Sequence, residues 1–161
     1  MLKDQRDLLL VFNAHEVKYL VVGGYAFNFY TEPRATKDLD VWVDTSDANA
    51  ARVFQALVAY GAPMAGYTVA DFQNAASIFQ FGIPPSRVDV LMEIDAVSFP
   101  EAWEASIAGE TGDGITVRFL SIPDLIKNKL AIGRLRDLAD VEDLRKADAA
   151  NSALPKTKNP S

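Results

Sequence analysis

Residues 19–44 of the chain read YLVVGGYAFNFYTEPRATKDLDVWVD. An apolar run ends at two glycines, Gly23 and Gly24, and a short amphipathic segment follows before a second apolar-rich run. Apolar runs of this length, bounded by glycine and proline, are typical of strands joined by a turn and a short helix. The stretch therefore predicts a strand over 18–22, a helix over 26–30 and a second strand over 39–43.

Two aspartates open the second predicted strand. Asp38 and Asp40 are two positions apart, and strand side chains alternate between faces, so both carboxylates share one face with Trp42. At ~4 Å and an effective dielectric of ~20, two such charges repel by roughly 4 kcal/mol. A divalent cation removes this repulsion, and hard oxygen ligands select Mg²⁺ or Mn²⁺. The pattern predicts a metal site, although a solvated strand face explains the same alternation. Trp42 is expected to pack within the protein, and stacking on an acceptor is the alternative that its shared face leaves open.

Gly23 and Gly24 predict a phosphate site at the start of the short helix. Because they lack side chains, they allow backbone N–H groups to approach a phosphate closely at a helix N-terminus. A glycine turn beside a carboxylate metal site is the combination that phosphoryl chemistry on a nucleoside triphosphate requires. A plain turn between strand and helix is the alternative.

Asp89 lies between two valines in a later apolar run. Residues 77–83 and 87–94 predict two strands, and their short connection favours an antiparallel hairpin. Aspartate is disfavoured within strands, so Asp89 indicates either a solvated edge or a functional position. If its strand adjoins that of Asp38 and Asp40, the three carboxylates can hold two Mg²⁺ ions together with triphosphate oxygens and water.

Charged residues are concentrated in segment 121–147, which predicts two helices separated at Gly133. The cations are placed to meet the β- and γ-phosphates of a triphosphate, and aspartates one turn further on are placed to hold those cations. Solvated helix faces explain the same charges without a ligand. The residues concerned are Lys127, Lys129, Arg134 and Arg136, followed by Asp137 and Asp140.

The remaining pattern predicts one domain over 1–150 and a polar tail over 151–161 that is expected to be disordered. Residues 62–75 show no regular periodicity. Further helices are predicted over 3–15, 46–59 and 99–107, and a further strand over 115–120.

Composition narrows the classes of protein that the chain can belong to. It has 161 residues, of which 49% are hydrophobic, enough for one domain with a core. Cysteine is absent, which excludes disulfides and thiolate metal sites. The formal net charge of -6 gives no long-range attraction to nucleic acid or to anionic membranes. No apolar run approaches the ~20 residues that span a bilayer, and the first residues do not read as a signal peptide, so the cytoplasm is the expected location.

Taken together, these motifs resemble the DNA polymerase β-type nucleotidyltransferase superfamily. Residues 19–44 are similar to its bacterial minimal and AbiEii-toxin-like members, which carry Gly-Gly-x-Ala, an Arg before a Ser or Thr, and then Asp-x-Asp. A later Lys-x4-Arg-x2-Asp-x2-Asp pattern is similar to the same group. The matching positions are Gly23, Gly24, Ala26, Arg34, Thr36, Asp38 and Asp40, followed by Lys129, Arg134, Asp137 and Asp140.

The resemblance implies an α+β (mixed α/β) nucleotidyltransferase fold, in which helices flank a twisted mixed sheet. It also implies metal-dependent transfer of a nucleoside monophosphate from a nucleoside triphosphate. Asp38, Asp40 and Asp89 would be the catalytic residues and would hold Mg²⁺ or Mn²⁺. The nucleotide-binding residues that the resemblance implies are Gly23, Gly24, Arg34, Thr36, Lys129 and Arg134.

The acceptor stays open at this point. A tRNA, a protein and a small molecule such as an antibiotic are all compatible with the motifs, and a membrane partner is not expected. A non-catalytic nucleotide sensor of the same fold is an alternative, as is one half of a toxin–antitoxin pair with a cognate antitoxin.

Overall fold

The computed structural model describes residues 1–153, which form a six-stranded mixed sheet flanked by helices. The strands are β1 Tyr19–Val22, β2 Leu39–Val43, β3 Ile78–Phe81, β4 Val88–Leu91, β5 Ile107–Glu110 and β6 Thr116–Phe119. The helices are α1 Lys3–Ala14, α2 Gly23–Tyr30, α3 Asp47–Tyr60, α4 Phe99–Ala105, α5 Ile122–Ile132 and α6 Leu135–Ala153, and Val69–Phe72 forms a 3-10 turn. The strand order is β3-β4-β2-β1-β6-β5. The predicted fold class is confirmed.

The pairing of β2 with its two neighbours fixes the positions of the aspartates. β2 is antiparallel to β1, where Val22 pairs with Asp40, and parallel to β4, where Asp40 pairs with Asp89. Directly paired residues of neighbouring strands lie side by side on one face. The prediction that the strand of Asp89 adjoins that of Asp40 is therefore confirmed. β3 and β4 form the predicted antiparallel hairpin.

Side-chain caps and glycines set the ends of the helices that flank the sheet. The Ser46 side chain accepts from the backbone N–H of Asn49 at the start of α3, and Gly61 ends that helix in the left-handed conformation. Ser121 begins α5 in the same way, and left-handed Gly133 ends it. Among the helices within residues 1–153, none is long and apolar enough to span a membrane.

Trp42 is buried and leaves no ring face for an acceptor. It is 2% exposed, and its ring packs edge-to-face on Phe99 of α4 with centroids 5.0 Å apart. Helix α4 thus covers the sheet face of Asp40 at Trp42, two residues further along β2. The expectation that Trp42 packs is confirmed, and the alternative that it stacks on an acceptor is excluded because α4 covers its ring.

Strand β5 was not predicted, because residues 106 and 107 were assigned to the preceding helix. The Ser106 hydroxyl donates to the carbonyl of Trp103 at 2.6 Å and ends α4. Arg118 donates to Ser106 Oγ at 2.7 Å and to its carbonyl at 2.9 Å, which turns the chain into β5 beside β6. β5 is largely exposed, so its sequence has no apolar alternation to reveal it.

Helix α6 continues past its predicted end at residue 147 as far as Ala153. The first residues of the predicted disordered tail are therefore helical. The rest of that prediction, over 154–161, lies outside the described residues.

Candidate active site

Asp40 and Asp89 form a crowded carboxylate pair in the middle of the sheet, where the register of β2 and β4 places them opposite one another. Burial, together with the negative charges of Asp89 and Asp38, raises the pKa of Asp40 from 3.8 to about 7. Arg87 provides a counter-charge, since its Nε donates to Asp89 Oδ1 at 3.1 Å. Arg87 lowers the pKa of Asp40 by less than burial and the two neighbouring carboxylates raise it, and an added cation would favour the ionised form of Asp40.

The carboxylates fit a divalent cation in charge and in chemistry. Carboxylate oxygens are the donors that Mg²⁺ and Mn²⁺ prefer, and the electrostatic strain on Asp40 is of the kind that a cation relieves. Among the residues of the described part of the chain, however, no three carboxylates or histidines lie close enough together to form a complete metal site. Asp38, Asp40 and Asp89 are the residues that would hold the ion, and the three-ligand site stays a prediction.

Gly23 and Gly24 form the first turn of α2, which begins before the predicted start at residue 26. Gly23 has a φ of 63°, which glycine adopts without strain. A Cβ at Gly23 would lie 3.1 Å from Asp40 Cγ and would overlap its carboxylate oxygen, and one at Gly24 would lie 2.5 Å from Thr36 Oγ1. The glycines therefore allow the start of α2 to press against the segment that carries the aspartates.

The N-terminus of α2 is suited to bind an anion. The first N–H groups of a helix have no partner within the helix, and the residue before α2, Val22, supplies no side-chain cap. Both glycines line the cleft next to Asp38 and Asp40. The N-terminus of α2 and the carboxylates of Asp38 and Asp40 thus line the same cavity.

The buried carboxylate of Asp140 accepts hydrogen bonds from two cationic side chains of the cleft. Arg34 donates from both terminal nitrogens to its two oxygens, at 2.8 and 2.9 Å, and Lys129 Nζ donates at 2.7 Å. Asp140 is 3% exposed and Lys129 is 9% exposed. Burial opposes ionisation of Asp140, but the hydrogen bonds from Arg34 and Lys129 outweigh it and lower its pKa below 3.8. Asp140 is therefore a fixed anion that orients both cations.

Asp137 orients a third cation, Arg134. Arg134 Nε donates to Asp137 Oδ2 at 2.6 Å, and its backbone N–H donates to the same oxygen at 3.2 Å. The side-chain hydrogen bond from Arg134 is the main cause of the lowered pKa of Asp137. Lys129 Nζ lies 3.7 Å from Asp137 and so connects the two aspartates. The sequence pattern left two interpretations of Asp137 and Asp140, cation-holding residues or solvated helix faces, and the structure shows them paired with cations.

Glycines, carboxylates and cations together line a cavity of about 430 Å³, which we name the cationic lobe. Eight of the nine predicted site residues are in its lining, and the ninth, Asp89, lies beside Asp40 on β4. Lys127 of α5 is not in the lining, whereas Arg136 is. The lining residues are Gly23, Gly24, Arg34, Ala35, Thr36, Lys37, Asp38, Asp40, Lys129, Arg134, Arg136, Asp137 and Asp140.

Gln5 of α1 holds in place the backbone that leads to the carboxylates, and the sequence pattern did not identify it as a site residue. It is fully buried, and its Nε2 donates to the carbonyl of Lys37 at 2.8 Å and to that of Arg87 at 3.0 Å. Its Oε1 accepts from the Tyr25 hydroxyl at 2.9 Å. One amide thus ties together the segments that lead into Asp38 and Asp89. The available signal was a glutamine on the apolar stripe of a helix, where a side chain needs buried partners.

A helix that starts at two glycines, an Asp-x-Asp strand and an aspartate on the parallel neighbour define, within this mixed sheet, a nucleotidyltransferase fold. A solved structure with this fold is that of the lincosamide antibiotic adenylyltransferase LnuA in its lincomycin-bound form. It is 15% identical to this chain, with a TM-score of 0.53, over 91% of this chain and 98% of that chain. At this identity the likeness shows the fold alone.

Family membership agrees with the fold. Residues 2–151 match the family of nucleotidyltransferases of unknown function, DUF6036, and the chain belongs to that family. No curated protein sequence matches the chain. The superfamily that the motifs resemble is thus supported. The AbiEii-toxin-like subtype and the single domain over 1–150 stay predictions.

Proposed function

We propose that this protein transfers a nucleoside monophosphate from a metal-bound nucleoside triphosphate to a hydroxyl group and releases pyrophosphate. The observation that carries the proposal is that Asp40 lies close to the carboxylates of Asp38 and Asp89, next to the uncapped N-terminus of α2. Membership of a nucleotidyltransferase family supports the class of reaction.

The cationic lobe is suited to the triphosphate. The N–H groups at the start of α2 provide donors for phosphate oxygens. Lys129 has three N–H donors and directs one of them to Asp140, while Arg34 remains 49% exposed beside the same carboxylate. Because Asp140 already holds both side chains in place, less conformational entropy is lost when a phosphate binds.

We expect the transfer to take place at Asp40, where the two kinds of group meet. The acceptor oxygen forms a bond with the α-phosphorus while the bond from that phosphorus to pyrophosphate breaks. The hydroxyl proton moves to a carboxylate, for which Asp89, beside Asp40, is the candidate base. A Mg²⁺ ion held by the three aspartates would neutralise developing charge and lower the pKa of the attacking hydroxyl.

A small-molecule hydroxyl is the acceptor class that has a specific observation in its favour. LnuA, which shares the fold, is an antibiotic adenylyltransferase. A tRNA acceptor is disfavoured by the formal net charge of -6, and a protein acceptor has no observation of its own. A toxin role with an antitoxin partner likewise rests on the sequence resemblance alone.

Label transfer tests the proposed function. The protein is incubated with Mg²⁺, an α-labelled nucleoside triphosphate and, separately, tRNA, cell extract protein and a set of small hydroxylated compounds. We expect label in one acceptor class and pyrophosphate release with the wild-type protein. Asp38→Ala/Asp40→Ala should lose both, because the carboxylates that would hold the metal are gone. Equal transfer by this double variant and the wild type would rule out the proposal.

A matched control separates loss of the site from loss of charge. Glu101 and Glu104 are exposed on α4, so Glu101→Ala/Glu104→Ala removes the same two negative charges elsewhere. This variant should transfer label as the wild type does. Calorimetry with the Mg²⁺-bound triphosphate adds the remaining distinction, since binding without turnover would indicate a nucleotide sensor instead of an enzyme.

A further inference from the structure

A second cavity, of about 380 Å³, adjoins the cationic lobe at Asp40. We name it the apolar lobe. The two cavities share a wall made of Gly23, Asp40, Lys129, Arg134 and Asp137. Beyond this wall the apolar lobe is lined by Val22, Ile78, Leu91, Glu93, Ile94, Asp95, Leu125, Asn128 and Ile132. Neither the sequence pattern nor the family resemblance assigned a role to these residues.

The apolar surface of this lobe comes from the sheet edge and from helix α5. Ile78 and Leu91 are cross-strand partners in the β3–β4 hairpin, and Ile78 is 55% exposed. Ile132, near the end of α5, is 39% exposed and faces the same cavity. A monomer rarely leaves aliphatic side chains around a concave surface in contact with water unless something binds there.

Glu93 and Asp95 bring two carboxylates to the same cavity. Both are exposed, and the segment that carries them is fixed in two ways. Ile94 and Val97 form an antiparallel bridge, and Asn128 Nδ2 donates to the carbonyl of Asp95 at 3.1 Å. The backbone of this segment is therefore fixed beside the lobe. We name Glu93 and Asp95 the acidic edge.

The two lobes differ in charge. The cationic lobe has five cationic residues against four carboxylates, whereas the apolar lobe has two cationic residues against four. Those two, Lys129 and Arg134, are already paired with Asp137 and Asp140. A polyanion such as RNA would meet uncompensated negative charge in the apolar lobe, whereas a cation would be attracted to it.

We propose that the apolar lobe binds the acceptor, and that the acceptor is a small amphipathic molecule that carries an amine besides its hydroxyl. This inference rests on the proposed function. The triphosphate needs the cationic lobe, so the adjoining apolar lobe is left for the acceptor, and a hydroxyl bound there lies next to Asp40 in the shared wall. Aliphatic walls bind the apolar part of the molecule, and Glu93 and Asp95 pair with its ammonium group.

Phenylethanolamine serves as the probe, because it carries an aromatic ring, a hydroxyl and an amine. Its N-acetylated form keeps the ring and hydroxyl but has no charge, and a short single-stranded RNA provides ribose hydroxyls on a polyanion. With Mg²⁺ and an α-labelled triphosphate, we expect kcat/KM for the amine to exceed that for the acetylated form by about tenfold, since a charged hydrogen bond contributes that much. RNA should be the poorest acceptor.

Variants of the acidic edge test whether the preference for the amine comes from the apolar lobe. Glu93→Gln/Asp95→Asn should raise KM for the amine about tenfold and leave the acetylated form unaffected, because only the amine is charged. The matched control Glu101→Gln/Glu104→Gln removes two charges from α4 and should change neither. Equilibrium dialysis of the amine with nucleotide-free protein gives a readout without turnover, in which the acidic-edge variant should bind more weakly than the wild type.

The outcomes separate the two proposals. If the acetylated compound or the RNA is labelled as well as the amine, the inference about the acceptor is wrong while the proposed function stands. If no acceptor is labelled and no triphosphate binds, the proposed function fails, and dialysis still decides whether the lobe recognises an amine. Equal binding of the amine to the wild type and to the acidic-edge variant would overturn the inference.

Discussion

Two groups of aspartates lie in the same cleft and have opposite electrostatics. Asp40 is held beside Asp89 and Asp38, and its pKa is raised to about 7. Asp137 and Asp140 are held beside Lys129, Arg34 and Arg134, and their pKa values are lowered. Burial raises the pKa in both groups, so the difference in direction comes from the neighbours. Arginine and lysine donate hydrogen bonds to Asp137 and Asp140, whereas Asp40 lies among carboxylates.

The comparison shows which aspartates are available for chemistry. Asp137 and Asp140 are already paired with lysine and arginine side chains, which they hold in position. Asp40 has too little positive charge, and a ligand cation would supply it. Repulsion that the folded protein tolerates without a ligand is typical of a functional site, because a stable resting structure would avoid it.

Replacing Asp40 by Asn should have the largest effect. Transfer of label is expected to fall by about a hundredfold or more, because the ion would lose a ligand and transition-state stabilisation worth several kcal/mol. In the absence of metal, the same variant should be more stable by about 1 to 2 kcal/mol, a part of the roughly 4 kcal/mol that two charges ~4 Å apart cost at a dielectric of ~20. Urea unfolding and the label assay measure the two effects. A less stable Asp40→Asn would contradict the crowding argument.

Replacing Asp140 by Ala should do the opposite to stability. It leaves Lys129 and Arg34 without their shared anion, and breaking a buried ion pair in this way costs about 3 kcal/mol. Urea unfolding measures the loss. Asp148→Ala, an exposed aspartate on the same helix, is the control and should change stability by less than about 0.5 kcal/mol. Similar losses in both variants would mean that the buried network has no special role.

Replacing Gln5 by Met should cost about 1 to 3 kcal/mol, because the carbonyls of Lys37 and Arg87 would lose buried donors without a substitute. These carbonyls precede Asp38 and Asp89 along the chain, so the carboxylates should also lose alignment. We expect metal activation to require more Mg²⁺ in this variant, which a titration of label transfer against Mg²⁺ measures. A loss of stability with an unchanged Mg²⁺ requirement would limit Gln5 to a structural role.

The two groups also predict opposite pH dependence of stability. The raised pKa of Asp40 means that the folded state retains a proton which the unfolded state has lost, so metal-free stability should fall as pH rises from 3.8 to about 7. The lowered pKa of Asp140 contributes stability above 3.8 that is lost as pH falls below that value. Urea unfolding measured from below pH 3.8 to above pH 7 should show the first slope disappear in Asp40→Asn and the second in Asp140→Asn. Unchanged slopes would contradict the assignment.

The aspartates of the sheet could be predicted from the sequence because strand geometry has a short period. Asp40 lies in β2, and the further requirement was that the strand of Asp89 lie alongside, which the register of Asp40 with Asp89 confirms. Asp38 precedes the first residue of β2, so the three-carboxylate group stays a prediction. The glycines were predictable for a similar reason, since their lack of side chains is a local property that permits close approach to Asp40.

Other features depend on contacts between distant segments and could not be predicted. Trp42 was expected to pack, but its contact with Phe99 of α4 joins two distant segments of the chain. The pairing of Arg34 with Asp140 joins positions that are 106 residues apart. The apolar lobe likewise depends on how α5 packs against the β3–β4 hairpin, which no motif encodes.

Binding of Mn²⁺, followed by electron paramagnetic resonance in the presence of a nucleoside triphosphate, tests the central claim most directly. The account predicts that the wild type and Asp140→Asn bind the ion, and that Asp40→Asn binds it at least about tenfold more weakly despite being the more stable protein. Equal affinity of Asp40→Asn and the wild type would contradict the claim that the crowded aspartates of the sheet are a metal site.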